Sequence, residues 1–145
     1  MNRGTGIEKE FAGTAFTREP EFDDLADEAT VLIKRTLRSG QSIHYHGNVV
    51  VLGDVNPGAE IVAGGNIIVM GSLRGVVHAG ATGEKDAEVT AFRLLPTQLR
   101  IADQITRAPD GNYPDPGVAE TARIVDGVVV IQQYQPPGDK LNSRR

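Results

Sequence analysis

The feature that most constrains this chain is an aliphatic residue at every sixth place: Ile43, Val49, Val55, Ile61, Ile67, Leu73 and Ala79 keep that spacing unbroken. If each six-residue step supplies a short strand and a corner, the aliphatic residue points inward and Gly or Asn makes the tight turn. Three steps form one coil. The same stretch carries an eighteen-residue repeat, in which Gly47, Asn48, Val49, Val51, Gly53 and Val55 map onto Gly65, Asn66, Ile67, Val69, Gly71 and Leu73, and Ala63 maps onto Ala81. Stacked coils of this kind pair in parallel about 4.8 Å apart and share one interior.

A coil cannot bury its own apolar face, so a solenoid needs about three coils and closure at both ends. Thr30 to Leu37 (TVLIKRTL) reads as the first strand, rich in β-branched and apolar residues. After a polar insertion, Glu84 to Asp86, the run AEVTAFRLLPTQLRIA supplies a third, less regular coil. Ala122 to Ile131 holds two apolar runs around Asp126-Gly127, a type I′ hairpin signal suited to covering the open end. The expected organisation is therefore an acidic leader over 1–29, flexible or a short helix after Pro20, a β-helix domain over 30–135, and a loose tail over 136–145. Pro109 to Pro116 reads as a turn-rich loop. With no Trp and few other aromatics, the core has to be built from Val, Ile, Leu and Ala.

Composition narrows the function. The absence of Cys removes thiolate metal sites, Cys nucleophiles and disulfides. No window is apolar enough to cross a bilayer as a helix. Of the formal charge of −4, residues 1–29 contribute −5 (eight acids, three bases) and the remainder +1. A nearly neutral body with no dense basic stripe offers little to a phosphate backbone, so nucleic acid is not an expected partner.

Chemistry-bearing residues are sparse. His44 and His46 fall on one face of a strand, as a metal pair would, but no third ligand lies near, and solvent-exposed histidines are the plainer reading. A six-residue period is also found in hexapeptide acyltransferases, in which a coil His acts as base, and His78 is the one candidate here. Three coils leave little room for their acyl-donor sites. Asp54, Glu60, Glu84, Asp86 and Glu88 are scattered along the coils as a solvated surface would have them. AGATGEK at Ala79 to Lys85 lacks the Ser or Thr and the helix of a phosphate loop. No catalytic residue, metal or cofactor is expected. Arg38-Ser39-Gly40-Gln41 stands apart: two long, multivalent hydrogen-bonding side chains beside a Gly that lets a partner approach suit a docking corner as well as a plain turn.

RSGQ at Arg38 to Gln41, NPGAEIVAGGNI at Asn56 to Ile67, GSLRGVVHAGA at Gly71 to Ala81 and PTQLRIA at Pro96 to Ala102 together resemble the C-terminal domain of the MinC family of division-site regulators, over about Thr30 to Tyr134. The resemblance implies an all-β fold, a short right-handed three-sided parallel β-helix with a C-terminal hairpin behind a polar N-terminal leader. Handedness comes from the resemblance alone, because a six-residue period also fits left-handed coils. It further implies a homodimer formed through an apolar side of the helix, and docking on the ATPase MinD, which carries the domain from the cytoplasm to the inner face of the cell membrane. Arg38, Ser39, Gly40 and Gln41 take the docking role by position, with Gly58 and Arg74 as weaker carry-overs. Septum placement by negative control of FtsZ follows, although the N-terminal FtsZ-antagonist domain of such proteins has no counterpart in residues 1–29. The competing classes are a hexapeptide-type acyltransferase and a self-polymerising β-helix scaffold like the bactofilins.

Overall fold

Three parallel stacks of backbone wind around one aliphatic interior. The computed structural model describes residues 29–107, 115 and 117–138, with eleven β-strands and no α-helix among them. One sheet runs β1 (Thr30–Ile33), β3 (Asn48–Val51), β5 (Ile67–Leu73), β7 (Val89–Leu94), β10 (Glu120–Val125) and β11 (Val128–Gln133). The second runs β2 (Ser42–Tyr45), β4 (Glu60–Ala63), β6 (Val76–Ala79), β8 (Gln98–Ile101) and β9 (Gln104–Arg107). We call them sheets A and B. The third side is a thin ladder in which Leu37, Val55 and Leu73 bridge in parallel.

The inward ladder lies where the period places it. Val49, Val55, Ile61, Ile67 and Leu73 are fully buried, and Ile43 packs half-buried at the first coil. Each buried aliphatic side chain contributes roughly 1.5–3 kcal/mol, so a few rungs outweigh any surface contact in this chain. Val51, Ala63, Val69 and Ala79, two residues beyond the rungs on sheets A and B, are buried as well, because alternate strand residues face the same side.

The strict period fails at its last step. Ile43 pairs with Ile61 at a spacing of eighteen, but Ile61 pairs with Val77, sixteen residues on, so Val77 and not Ala79 is the rung. The cause is the corner: coil two turns through Asn56–Ala59, whereas coil three turns through Arg74 and Gly75 alone. The insertion after Gly83 then lengthens the return, and Ile67 pairs with Val89. A second correction concerns the first strand. Thr30 to Leu37 is not one strand: β1 ends at Ile33, the chain bends through Lys34 to Thr36, and Leu37 becomes the first rung of the third side.

The third coil forms as expected from β7 and β8. The hairpin also forms, with Asp126 at φ 53° and Gly127 at φ 82°, the two positive values a type I′ turn requires. It adds antiparallel to β7 through Thr121↔Thr90 and Ala122↔Val89, while Ile124 and Val129 pack on the core. A second hairpin has no turn signature in the sequence: β8 folds back into β9 through Ala102 and Asp103, with Ala102 at φ 53°. Residues 1–28, most of the 109–116 loop, and 139–145 lie outside the described residues.

Candidate functional site

The corner between the third side and sheet B is built from equivalent turns stacked coil on coil. In the first, the Gln41 N–H donates to the Arg38 carbonyl at 2.9 Å, and the Gln41 side-chain Oε1 accepts from the Arg38 N–H at 2.8 Å. Gly40 sits at φ 89°, where an L side chain is strained. The second turn, Asn56–Ala59, repeats the geometry: the Ala59 N–H donates to the Asn56 carbonyl at 3.0 Å and Gly58 sits at φ 91°.

The turns are tied to each other. The Gly40 N–H donates to the Gly58 carbonyl, the Asn56 N–H to the Leu37 carbonyl, and the Glu60 N–H to the Gln41 carbonyl, at 2.9, 2.9 and 3.0 Å. Arg74 follows in the next coil, its N–H donating to the Val55 carbonyl at 2.8 Å, while the Thr97 hydroxyl donates to the Arg74 carbonyl at 2.8 Å. Arg38, Ser39, Gly40, Gln41, Gly58 and Arg74 thus share one corner, with Arg38 and Arg74 two coils, about 10 Å, apart along the axis. Arg38, Ser39, Gln41 and Arg74 are exposed, and among the described residues neither guanidinium has an ion-pair partner.

The six residues divide by what they do. Gln41 spends its carbonyl oxygen on the turn and keeps its amide hydrogens for an outside acceptor. Gly58 has a structural reason to be Gly, since a Cβ there would collide with the Ser39 side chain. Arg38 and Arg74 hold fixed-charge forks suited to carboxylates and carbonyls.

The histidines do not converge. His44 lies on the outer face of sheet B, 3.7 Å from Glu60. His78, two strands on, has Nε2 2.9 Å from the Ala102 carbonyl, so that nitrogen carries the proton and donates it, leaving it unable to act as a base there. Among the described residues no three His, Asp or Glu side chains gather as a metal site. No described helix is long and apolar enough to cross a membrane.

One surface escaped the sequence reading. The outer face of sheet A carries Leu32, Val50 and Ile68 in register, and beside them Leu52, Met70 and Phe92. Leu32 is 50% exposed, Met70 45% and Phe92 52%. The signal was available in VVVL and IIVM: strands apolar at consecutive positions are built to be covered on both faces.

A sequence model described as "Septum formation inhibitor MinC, C-terminal domain" matches residues 31–134. The chain belongs to the MinC family. Curated MinC relatives include probable septum site-determining proteins from Heliobacterium modesticaldum, 66% identical over 108 residues (74% of this chain, 37% of the relative), and from Clostridium novyi, 48% identical over 120 residues (83% and 57%). The chain therefore spans less than two thirds of the length of these MinC proteins. A solved structure of the MinC:MinD cell division protein complex from Aquifex aeolicus superposes with a TM-score of 0.70 at 37% identity, covering 79% of this chain and 94% of that one.

Proposed function

We propose that this MinC-family chain is a dimeric adaptor for septum placement, docking on a MinD-type ATPase through the Arg38–Gln41 corner and pairing with a second copy through the outer face of sheet A. The observation that carries the docking reading is the RSGQ turn itself, held by the Gln41 side chain and presenting the Arg38 guanidinium, with Arg74 at the same corner and neither ion-paired among the described residues, in a chain similar to one in a solved MinC:MinD complex. Arg38 and Arg74 would grip acceptors on the ATPase, Ser39 and the Gln41 amide would add hydrogen bonds, and Gly40 and Gly58 would hold the turn.

The apolar sheet-A face supports the dimer. A contiguous aliphatic and aromatic strip is the surface a two-fold contact buries, each copy offering the same patch. Membrane contact would be indirect, by recruitment from the cytoplasm through the ATPase. Control of FtsZ would follow from where the adaptor is placed.

The test is co-sedimentation of the chain with MinD, ATP and lipid vesicles. Arg38→Ala and Arg74→Ala should each reduce the sedimented fraction, and undiminished binding by folded variants would remove the docking assignment. For the dimer, Met70→Asp should halve the mass seen by light scattering. An unchanged mass would move the dimer contact elsewhere.

A further inference from the structure

The strand that ends sheet A has an open hydrogen-bonding edge. Among the described residues, β11 is the last strand of that sheet and pairs with β10 alone. The Tyr134 N–H donates to the Ala119 carbonyl at 2.9 Å, which sets the alternation of the antiparallel ladder: Gln132, Val130 and Val128 exchange bonds with β10. The N–H and C=O groups of Val129, Ile131 and Gln133 therefore point away from it. Among the described residues, no backbone bond reaches any of these three from elsewhere.

Edge strands are ordinarily protected by charge, proline, bulges or shortness. β11 has none of these. Val128 to Gln135 (VVVIQQYQ) contains no Asp, Glu, Lys, Arg, Pro or Gly, and the ladder with β10 runs six residues without a bulge. The other edges are managed: β1 runs into Lys34 and Arg35, β2 is short and carries His44, and β9 is four residues long between Asp103 and its own Arg107.

We propose that β11 pairs antiparallel with β11 of a second copy, joining chains at their C-terminal ends. The open groups are symmetric about Ile131, so a two-fold axis there sets Ile131 opposite Ile131 and Val129 opposite Gln133, and every open group of one copy meets its complement on the other. In that register Val128 faces Tyr134 of the second copy. These two are 57% and 44% exposed in the single chain, and a β-branched residue opposite an aromatic is a favourable cross-strand pair. The contact is narrower than a stable interface, which needs about 1,000 Å² or more, so it is concentration-dependent. Combined with the sheet-A dimer it would link dimers into short chains, but it does not rest on that dimer or on ATPase docking.

The test is sedimentation equilibrium of the full chain from low micromolar to near-millimolar concentration. Gln133→Pro removes an N–H that only the second copy would use, and proline is tolerated where an edge N–H faces solvent. Val130→Glu sits opposite Arg123 within the hairpin, a favourable pair, yet across the join, where it faces Gln132 of the second copy, it sets the two new carboxylates as diagonal neighbours on one face. The wild type should show mass rising beyond the dimer with concentration, and each variant should weaken that step at least about tenfold. In a Met70→Asp background the β11 contact alone should give a dimer that Gln133→Pro makes monomeric. A wild type that never exceeds a dimer, where that dimer survives Gln133→Pro, or folded variants that associate as the wild type does, would overturn the proposal. Capture of an unrelated extended peptide on β11 without self-association would overturn it in favour of a foreign strand.

Discussion

Gly58 lies against Ser39 so closely that no side chain fits between them: a Cβ on Gly58 would run into the Ser39 hydroxyl and Cβ, and the Gly58 carbonyl accepts the Gly40 N–H at 2.9 Å. The conformation of the RSGQ turn is thus set partly by the coil stacked on it. Gly58→Ala faces both a positive φ and a collision, whereas Gly40→Ala faces only the positive φ, since nothing lies within 4 Å of its Cβ position. Gly58→Ala should destabilise by about 1–3 kcal/mol, and Gly40→Ala by about 1 kcal/mol. Urea denaturation of the two variants gives the ordering, and MinD co-sedimentation of Gly58→Ala tells whether displaced Ser39 matters for docking.

Ile67 and Ile68 are neighbours with opposite fates. Ile67 is fully buried between Val49 and Val89, while Ile68 stands on the outer face of sheet A between Val50 and Thr90. Ile67→Ala should cost about 2–5 kcal/mol through lost burial and the cavity left behind. Ile68→Ala should leave the unfolding of a Met70→Asp, Gln133→Pro background, which lacks both contacts, within about 0.5 kcal/mol of its parent. In the wild-type background it should weaken the dimer. Equilibrium denaturation read beside sedimentation separates the two effects.

That pair also marks how far sequence reading reaches. Period six identifies Ile67 as a rung because inward residues repeat in step with the coil. It says nothing of Ile68, which stands exposed on the outer face of the sheet. The slip at Val77 was hidden because a corner can lose two residues while the strands it joins keep their pairing, so Ala79 stayed apolar at the expected place for a different reason. β9 was missed because its turn places Ala102, with no Gly or Asn, at positive φ. Arg38 to Gln41 stood out by residue type. That Gln41 builds the turn, and that Arg74 shares the corner despite lying thirty-six residues from Arg38, needed the stacking of the coils.

Asn48 and Asn66 form a short ladder at the corner where β3 and β5 begin. The Asn48 Oδ1 accepts from the Asn66 backbone N–H at 2.8 Å and from its side-chain amide at 3.1 Å, and the Asn66 Oδ1 accepts from the Glu88 N–H at 2.8 Å. The side chains therefore bond main-chain groups that the bend between strands leaves without ladder partners. Asn66→Ala breaks two of these bonds and should cost about 1–2 kcal/mol. Asn66→Asp keeps an acceptor for the Glu88 N–H but faces a carboxylate with the Asn48 oxygen and the Glu88 charge, and should be no better than Ala. Thermal melts of both variants test the ordering.

Glu120 opens β10, paired with Gln133 on one side and Ala91 on the other. Partial burial there pushes its carboxyl pKa up from the ordinary value of 4.5, since desolvation disfavours the charged form. The folded chain then holds its proton to higher pH than the unfolded chain does. Between the two pKa values the native state binds more protons, so stability falls as pH rises through that window and stays reduced above it. Glu120→Gln removes the ionisation. The variant should match the wild type at pH values below both pKa values and be slightly more stable at neutral pH, with the gap opening just above pH 4.5. The gain should be small because the group is only partly covered. Denaturation midpoints of both proteins across the acid range would show it; a variant less stable than the wild type at neutral pH would mean that the Glu120 carboxylate contributes an interaction outweighing its desolvation.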